Sequence, residues 1–231
     1  MPAAGAVVGE PTNNRIVIAH KGCARFKLST FGKAAHSSIP EEGVNAIYAM
    51  AKMIQFIEEQ EAAELAAVTH PLCGSPTIVV STIQGGKQIN IVPEYCEIEV
   101  DRRMIPGEDC GEVLEALKRK LETYAKERGI KVQMETLLED YALNTPADAA
   151  VVRSAQQTAL QLGMNAEPIG VSYGSDASKL QQVARIPSIV FGPGSIAQAH
   201  SSDEWVPVHE IEQAADFLLQ LALNFGKERE I

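Results

Sequence analysis

The strongest constraint on the fold is the order of two hydrophobic periods between Gly22 and Glu139. Cys96, Ile98 and Val100 alternate with Glu97, Glu99 and Asp101, the two-residue period of a strand with one wet face. Phe26 and Leu28 alternate with Arg25 and Lys27 in the same way, and so do Ile130, Val132 and Met134 with their neighbours. Thr77–Ile83 is a β-branched run, which also predicts a strand. Two stretches of helical spacing separate these strands. One covers about 43–60, with Ile47, Met50, Ala51, Ile54 and Ile57 on one face; the other covers about 109–128, with Val113, Leu117, Leu121 and Tyr124 inward. The order βαββαβ predicts a ferredoxin-like α+β domain: one antiparallel sheet with two helices on one face.

The flanks read differently. Ala6-Val7-Val8 is a short apolar run stopped by Gly9-Glu10-Pro11-Thr12, and Ile16-Val17-Ile18 is another. Beyond residue 140, a helix is predicted at about 147–162, a buried strand at Pro187–Phe191 ending in Gly192-Pro193-Gly194, and a last helix at about 209–226. This is α/β material. The simplest organisation makes 1–21 and 140–231 one discontinuous α/β domain, with 22–139 inserted into it.

Composition narrows the function. Asp and Glu outnumber Lys and Arg by 30 to 20, giving a net charge of −10, so the chain is a poor candidate for general nucleic-acid binding, which needs a basic footprint. No run reaches the roughly 20 apolar residues of a membrane span, and Met1–Val8 lacks the basic start of a signal peptide. The four cysteines Cys23, Cys73, Cys96 and Cys110 form no C-x-x-C pair, and a reduced, cytoplasmic protein is expected.

Several residues have the chemistry of a site. Glu10 follows a buried strand and offers a carboxylate to a divalent ion, or it is a turn acid. His200, in Ala199-His200-Ser201-Ser202-Asp203, follows a strand and a glycine turn, where open α/β sheets bind ligands. It reads as a metal ligand or as a solvated loop residue. His36, between Gly32-Lys33-Ala34-Ala35 and Ser37-Ser38-Ile39-Pro40, is a donor for a developing oxyanion or an exposed loop histidine. Asn90 sits in the turn Gly85-Gly86…Asn90-Ile91-Val92-Pro93. Arg103 shares a strand face with Glu97, Glu99 and Asp101, so it can clamp a ligand carboxylate or form a salt bridge. Neither a phosphate-binding glycine loop nor a nucleophile elbow is present.

Together with Asp101-Arg102-Arg103…Pro106-Gly107-Glu108, Gly174-Ser175-Asp176-Ala177 and Phe191-Gly192-Pro193-Gly194, these segments occur in one order that resembles the M20 family of zinc metallohydrolases. That family includes acetylornithine and succinyl-diaminopimelate processing enzymes, aminoacylases and glutamate carboxypeptidases. The resemblance implies a zinc-peptidase-like α/β catalytic domain carrying an inserted ferredoxin-like lid or dimerisation domain. It implies two zinc ions, with cobalt as a substitute, a homodimer formed through the lid, and hydrolysis of an amide bond in an N-acyl amino acid or small peptide. Glu10 and His200 match ligands of the two zinc ions. His36 matches the lid histidine that polarises the scissile carbonyl in the partner subunit's site. Asn90 and Arg103 match substrate-binding residues, and Gly192 and Gly194 would line the pocket.

The family's His-x-Asp motif, bridging Asp and Glu-Glu pair would precede Gly9, and no His-x-Asp occurs in this sequence. The sequence therefore reads as the C-terminal portion of such an enzyme, with an incomplete catalytic domain and no activity expected from the chain alone. The alternatives are a non-catalytic dimerisation or binding module, or one half of a heteromeric enzyme.

Overall fold

The computed structural model describes residues 3–199 and 201–225. The chain divides into two units: Met1–Lys21, Pro71–Cys73 and Tyr141–Ile231 make the first, and Gly22–His70 with Gly74–Asp140 the second. The architecture is mixed α/β.

The first unit is built on strands β1 (Ala6–Val8), β2 (Val17–His20), β9 (Leu143–Asn144), β10 (Ile169–Val171) and β11 (Ser188–Val190). They run in the order β1-β11-β2-β10, with β9 paired to β2. The pairing of β1 with β11 is parallel, Val7 opposite Ile189, so the loops that follow the two strands emerge side by side. Alternation splits the core in two. Ile16, Ile18, Ile189 and Phe191 point to one side, against helices α4 (Ala150–Gln161) and α6 (Val208–Asn224). Val17 and Val190 point to the other side, with Ala177 of helix α5 (Ala177–Gln182). Phe217 of α6 is fully buried and stacks on Phe191 with ring centroids 3.9 Å apart.

The second unit has the expected ferredoxin-like order. Strands β3 (Gly22–Phe31), β5 (Thr77–Gly85), β7 (Tyr95–Met104) and β8 (Lys131–Asp140) form an antiparallel sheet in the order β5-β7-β3-β8. Helices α1 (Ala46–Phe56) and α3 (Cys110–Glu127) pack on the face carrying Phe26, Leu28, Ile98 and Val100. Each begins at a side-chain cap: the Asn45 Oδ1 accepts from the Tyr48 amide at 3.1 Å and the Asp109 Oδ1 from the Glu112 amide at 3.0 Å. In α3 the inward set is Leu114, Leu117, Leu121 and Ala125, with Val113 and Tyr124 at its margin.

The inward face of α1 differs from the sequence reading. Ala46, Met50, Met53 and Phe56 are buried, whereas Ile47 and Ala51 are exposed. The helix continues as a π-turn, Ile57–Glu61, and a short helix α2, Ala62–Ala66. The π-turn adds a residue to the local period, and it leaves Glu61 buried with its carboxylate 3.0 Å from the Lys120 ammonium on α3.

A small two-stranded sheet, β4 (Ala35–His36) with β6 (Ile91–Val92), had no signature in the pattern. Gly32 sits at its base. A Cβ there would lie 2.0 Å from the Val44 carbonyl oxygen, so only glycine fits.

Candidate active site

In the first unit the predicted residues meet at the ends of β1 and β11. The Thr12 amide donates to the Gly192 carbonyl at 3.2 Å, the Gly192 amide donates to the Thr12 Oγ1 at 3.1 Å, and the Asn13 amide donates to the Gly194 carbonyl at 2.7 Å. This lattice lays Gly9-Glu10-Pro11-Thr12 directly on Gly192-Pro193-Gly194. The approach is close: a Cβ on Gly192 would stand 2.7 Å from the Glu10 carbonyl oxygen. Gly194 adopts φ +82°, a left-handed conformation that favours glycine, and its amide donates to the Glu210 Oε2 at 2.7 Å. Glu10, Gly192 and Gly194 are thus neighbours. His200 lies outside the described residues.

Two residues of this unit escaped the sequence reading. The Tyr173 hydroxyl donates to the Pro11 carbonyl at 2.8 Å, pinning the segment that carries Glu10. Burial first, and the Glu10 charge second, push the Tyr173 phenol above its ordinary value. His20 is fully buried at the end of β2. Its Nδ1 lies 3.0 Å from the Lys21 carbonyl, and its Nε2 accepts from the Ser175 amide at 3.2 Å. Only a ring with its proton on Nδ1 satisfies both contacts. His20 therefore ties β2 to the Gly174-Ser175-Asp176 loop. Both residues belong to elements too short, or too dependent on distant partners, to leave a periodic signal.

In the second unit His36 and Asn90 come together. His36 pairs with Ile91 across the small sheet, and the Ser37 amide donates to the Asn90 carbonyl at 3.0 Å. The His36 Nδ1 accepts from the Ser38 amide at 3.2 Å and lies 2.7 Å from the Ser38 Oγ. With Nδ1 an acceptor, the neutral ring carries its proton on Nε2, and the side chain is exposed.

Arg103 stands elsewhere. β7 runs from Tyr95, opposite Phe31 beside the His36 loop, to Arg103, opposite Cys23. Tyr95 and Arg103 are eight steps apart along the strand, about 26 Å at the rise of a β-strand. His36 and Asn90 occupy one end of this sheet and Arg103 the other.

The Arg103 Nε donates to the Asp101 Oδ1 at 2.7 Å, and the Arg25 Nε to the Asp101 Oδ2 at 3.0 Å. Burial raises the Asp101 carboxyl, but the Arg25 hydrogen bond and the Arg103 charge outweigh it and hold the group below its ordinary value. A folded pKa below the unfolded one stabilises the fold at pH above the unfolded value, about 3.9, and the gain is lost as pH falls through the folded value. Asp101→Asn is expected to flatten the acid limb of a urea-unfolding series below about pH 4. An unchanged limb would mean that the trio contributes nothing to acid stability.

The described residues contain no group of three or more His, Cys, Asp or Glu placed to hold a metal. Zinc takes three or four protein ligands, so Glu10 alone does not make a zinc site. The four thiols are free and buried, and burial pushes those of Cys73 and Cys110 up to about 11, away from nucleophile chemistry.

A ferredoxin-like unit is spliced into the sequence of an α/β unit whose acidic and glycine loops follow a parallel pair of strands. Residues 18–129 match the peptidase dimerisation domain, M20_dimer. The acetylornithine deacetylase of Myxococcus xanthus is 32% identical over 225 residues, covering 95% of this chain and 57% of that protein. The acetylornithine deacetylase of Edwardsiella ictaluri is 32% identical over 222 residues, covering 95% and 56%. Among solved structures, a tripeptidase from Staphylococcus aureus superposes with TM-score 0.76 at 25% identity, covering 96% of this chain and 57% of that one. Aminopeptidase PepT from Bacillus cereus gives TM-score 0.76 at 25% identity, covering 95% and 56%. Residues 18–129 of the chain thus resemble the dimerisation domain of the M20 peptidases, and 95% of its length is similar in sequence to acetylornithine deacetylases. It spans a little over half the length of these relatives.

Proposed function

We propose that the whole protein is a cytoplasmic, zinc-dependent homodimeric amidohydrolase acting on an N-acyl amino acid or small peptide, with cobalt able to replace zinc. Within it, 1–21 and 140–231 belong to the catalytic domain and 22–139 form the lid. Glu10 and His200 are each a ligand to one metal. Arg103 grips the substrate carboxylate through its terminal N–H groups, since its Nε is committed to Asp101. His36 donates its Nε2–H to the carbonyl oxygen as negative charge develops there. Asn90, joined to the His36 loop, helps to seat the substrate, and the glycine backbone at 192 and 194 lines the pocket.

The observation that carries this reading is the separation of the lid's own groups. In an N-acyl amino acid the scissile carbonyl and the carboxylate stand only about 4 Å apart, a few bond lengths. His36 and Arg103 of one lid lie at opposite ends of β7. If both act on one substrate, they come from two copies, as a two-fold dimer provides.

The reading also predicts how this chain behaves by itself. With Glu10 the sole described donor, the isolated chain is expected to hold zinc more weakly than about 1 μM and to hydrolyse N-acetyl amino acids no faster than buffer. The whole protein is expected to turn them over, and His36→Ala is expected to slow it about 10²–10³-fold. Zinc titration and a ninhydrin assay of released amine check both. Turnover by the isolated chain with two zinc ions bound would overturn the assignment of the metal site.

A further inference from the structure

The open face of the second unit's sheet holds more than one arginine. Arg25 and Asp101 are direct cross-strand neighbours, and Arg103 follows Asp101 by two residues on the same face. One carboxylate serves both cations, one oxygen each, and both guanidiniums reach it through Nε. That geometry matters. An arginine bound through Nε keeps its two terminal amino groups, the end of the fork that matches a planar oxyanion. Neither guanidinium is paired with a second carboxylate among the described residues. The trio carries a net charge of +1, and the side chains remain reachable, Arg25 at 50% exposure and Arg103 at 33%. Had Asp101 taken the terminal groups of either arginine, that cation would have been closed to ligand.

We propose that Arg25 is a second anion-binding residue, which with Arg103 forms a two-arginine site for the carboxylate of a small acyl-amino-acid or peptide ligand. Asp101 is the positioning residue: it accepts both Nε–H groups and turns both forks outward. Arg102, the alternate residue on β7, shows the contrast. It is buried on the helix side, where it pairs with Glu108. The inference rests on the reading of Arg103 as a carboxylate grip, and the test separates the two.

The test uses the 231-residue chain labelled with nitrogen-15 and follows the arginine Nε–Hε resonances. N-acetylglycine is the probe, and its neutral amide is the control. N-acetylglycine is expected to shift the resonances of Arg25 and Arg103 together, and the amide neither. Losing one charge-assisted partner is expected to weaken binding about tenfold in Arg25→Gln and by a similar factor in Arg103→Gln. Arg25→Lys, which keeps the charge without the fork, is expected to recover part of the loss. The amide spectrum of each variant reports directly whether it is folded. Unchanged affinity in Arg25→Gln beside a loss in Arg103→Gln would overturn this inference and leave Arg103 standing. No loss in either variant, or equal binding of the neutral amide, would overturn both.

Discussion

Phe217→Ala is expected to destabilise the first unit by about 3–5 kcal/mol, the usual range for deleting a buried phenylalanine. The ring is fully buried and stacks on Phe191 at 3.9 Å, so the substitution removes both the burial and the aromatic pair. The ring belongs to a buried apolar cluster that also holds Ile16, Ile189 and Ala214. Domains are stable by only about 5–15 kcal/mol, so the loss is a large share of the total. The consequence reaches the site. Phe191 directly precedes Gly192, whose carbonyl and amide hold the Glu10 loop. Equilibrium unfolding in urea, read by circular dichroism, measures the effect. A loss below about 1 kcal/mol would mean that the α6 contact does little to hold the β11 loop, contrary to cavity energetics.

The sequence carried the second unit far better than the first, and the reason is physical. Cys96, Ile98 and Val100 against Glu97, Glu99 and Asp101 report a ten-residue strand with one buried face. Val113, Leu117, Leu121 and Tyr124 report a helix of 18 residues, although Val113 and Tyr124 lie at the margin of its inward face. Long elements with one wet side write their period into the residues. In the first unit the strands are two to four residues long and cannot. β10 is Ile169-Gly170-Val171; its glycine is there because a Cβ would meet the Leu72 carbonyl oxygen at 2.3 Å, a neighbour almost 100 residues away in sequence. α5 has only six residues, too few for an amphipathic stripe.

The candidate site divides along the same line. Residue types and their order were legible: Glu10, His36, Asn90, Arg103, Gly192 and Gly194 stand in motifs whose order resembles that of the M20 peptidases. Placement was not. That Arg103 and His36 stand at opposite ends of a sheet follows only from the register Cys23↔Arg103 and Phe31↔Tyr95. That Asp101 levels two arginines needs the cross-strand pair Arg25↔Asp101, which no local pattern contains. The inward face of α1 was misplaced because Met53 and Phe56, not Ile47 and Ala51, fill the core ahead of the π-turn.

The second large effect concerns the division of labour between copies. In the whole protein, His36→Ala and Arg103→Ala are each expected to abolish most activity as pure variants. In a mixed dimer, the chain lacking His36 supplies Arg103 to its own site, and the partner lacking Arg103 supplies His36 to that same site. One site of the two is then complete and the other lacks both groups. A random equal mixture gives half mixed dimers, so about a quarter of the native rate is expected, from one working site in every second dimer.

Complementation between these two inactive variants is the most direct measurement of the central claim, that the lid serves two sites from its two ends. Recovery of about a quarter of the native rate on mixing and reassociation is the predicted result. No recovery, with mixed dimers demonstrated by mass spectrometry, would contradict it and place His36 and Arg103 in the same site of the same copy.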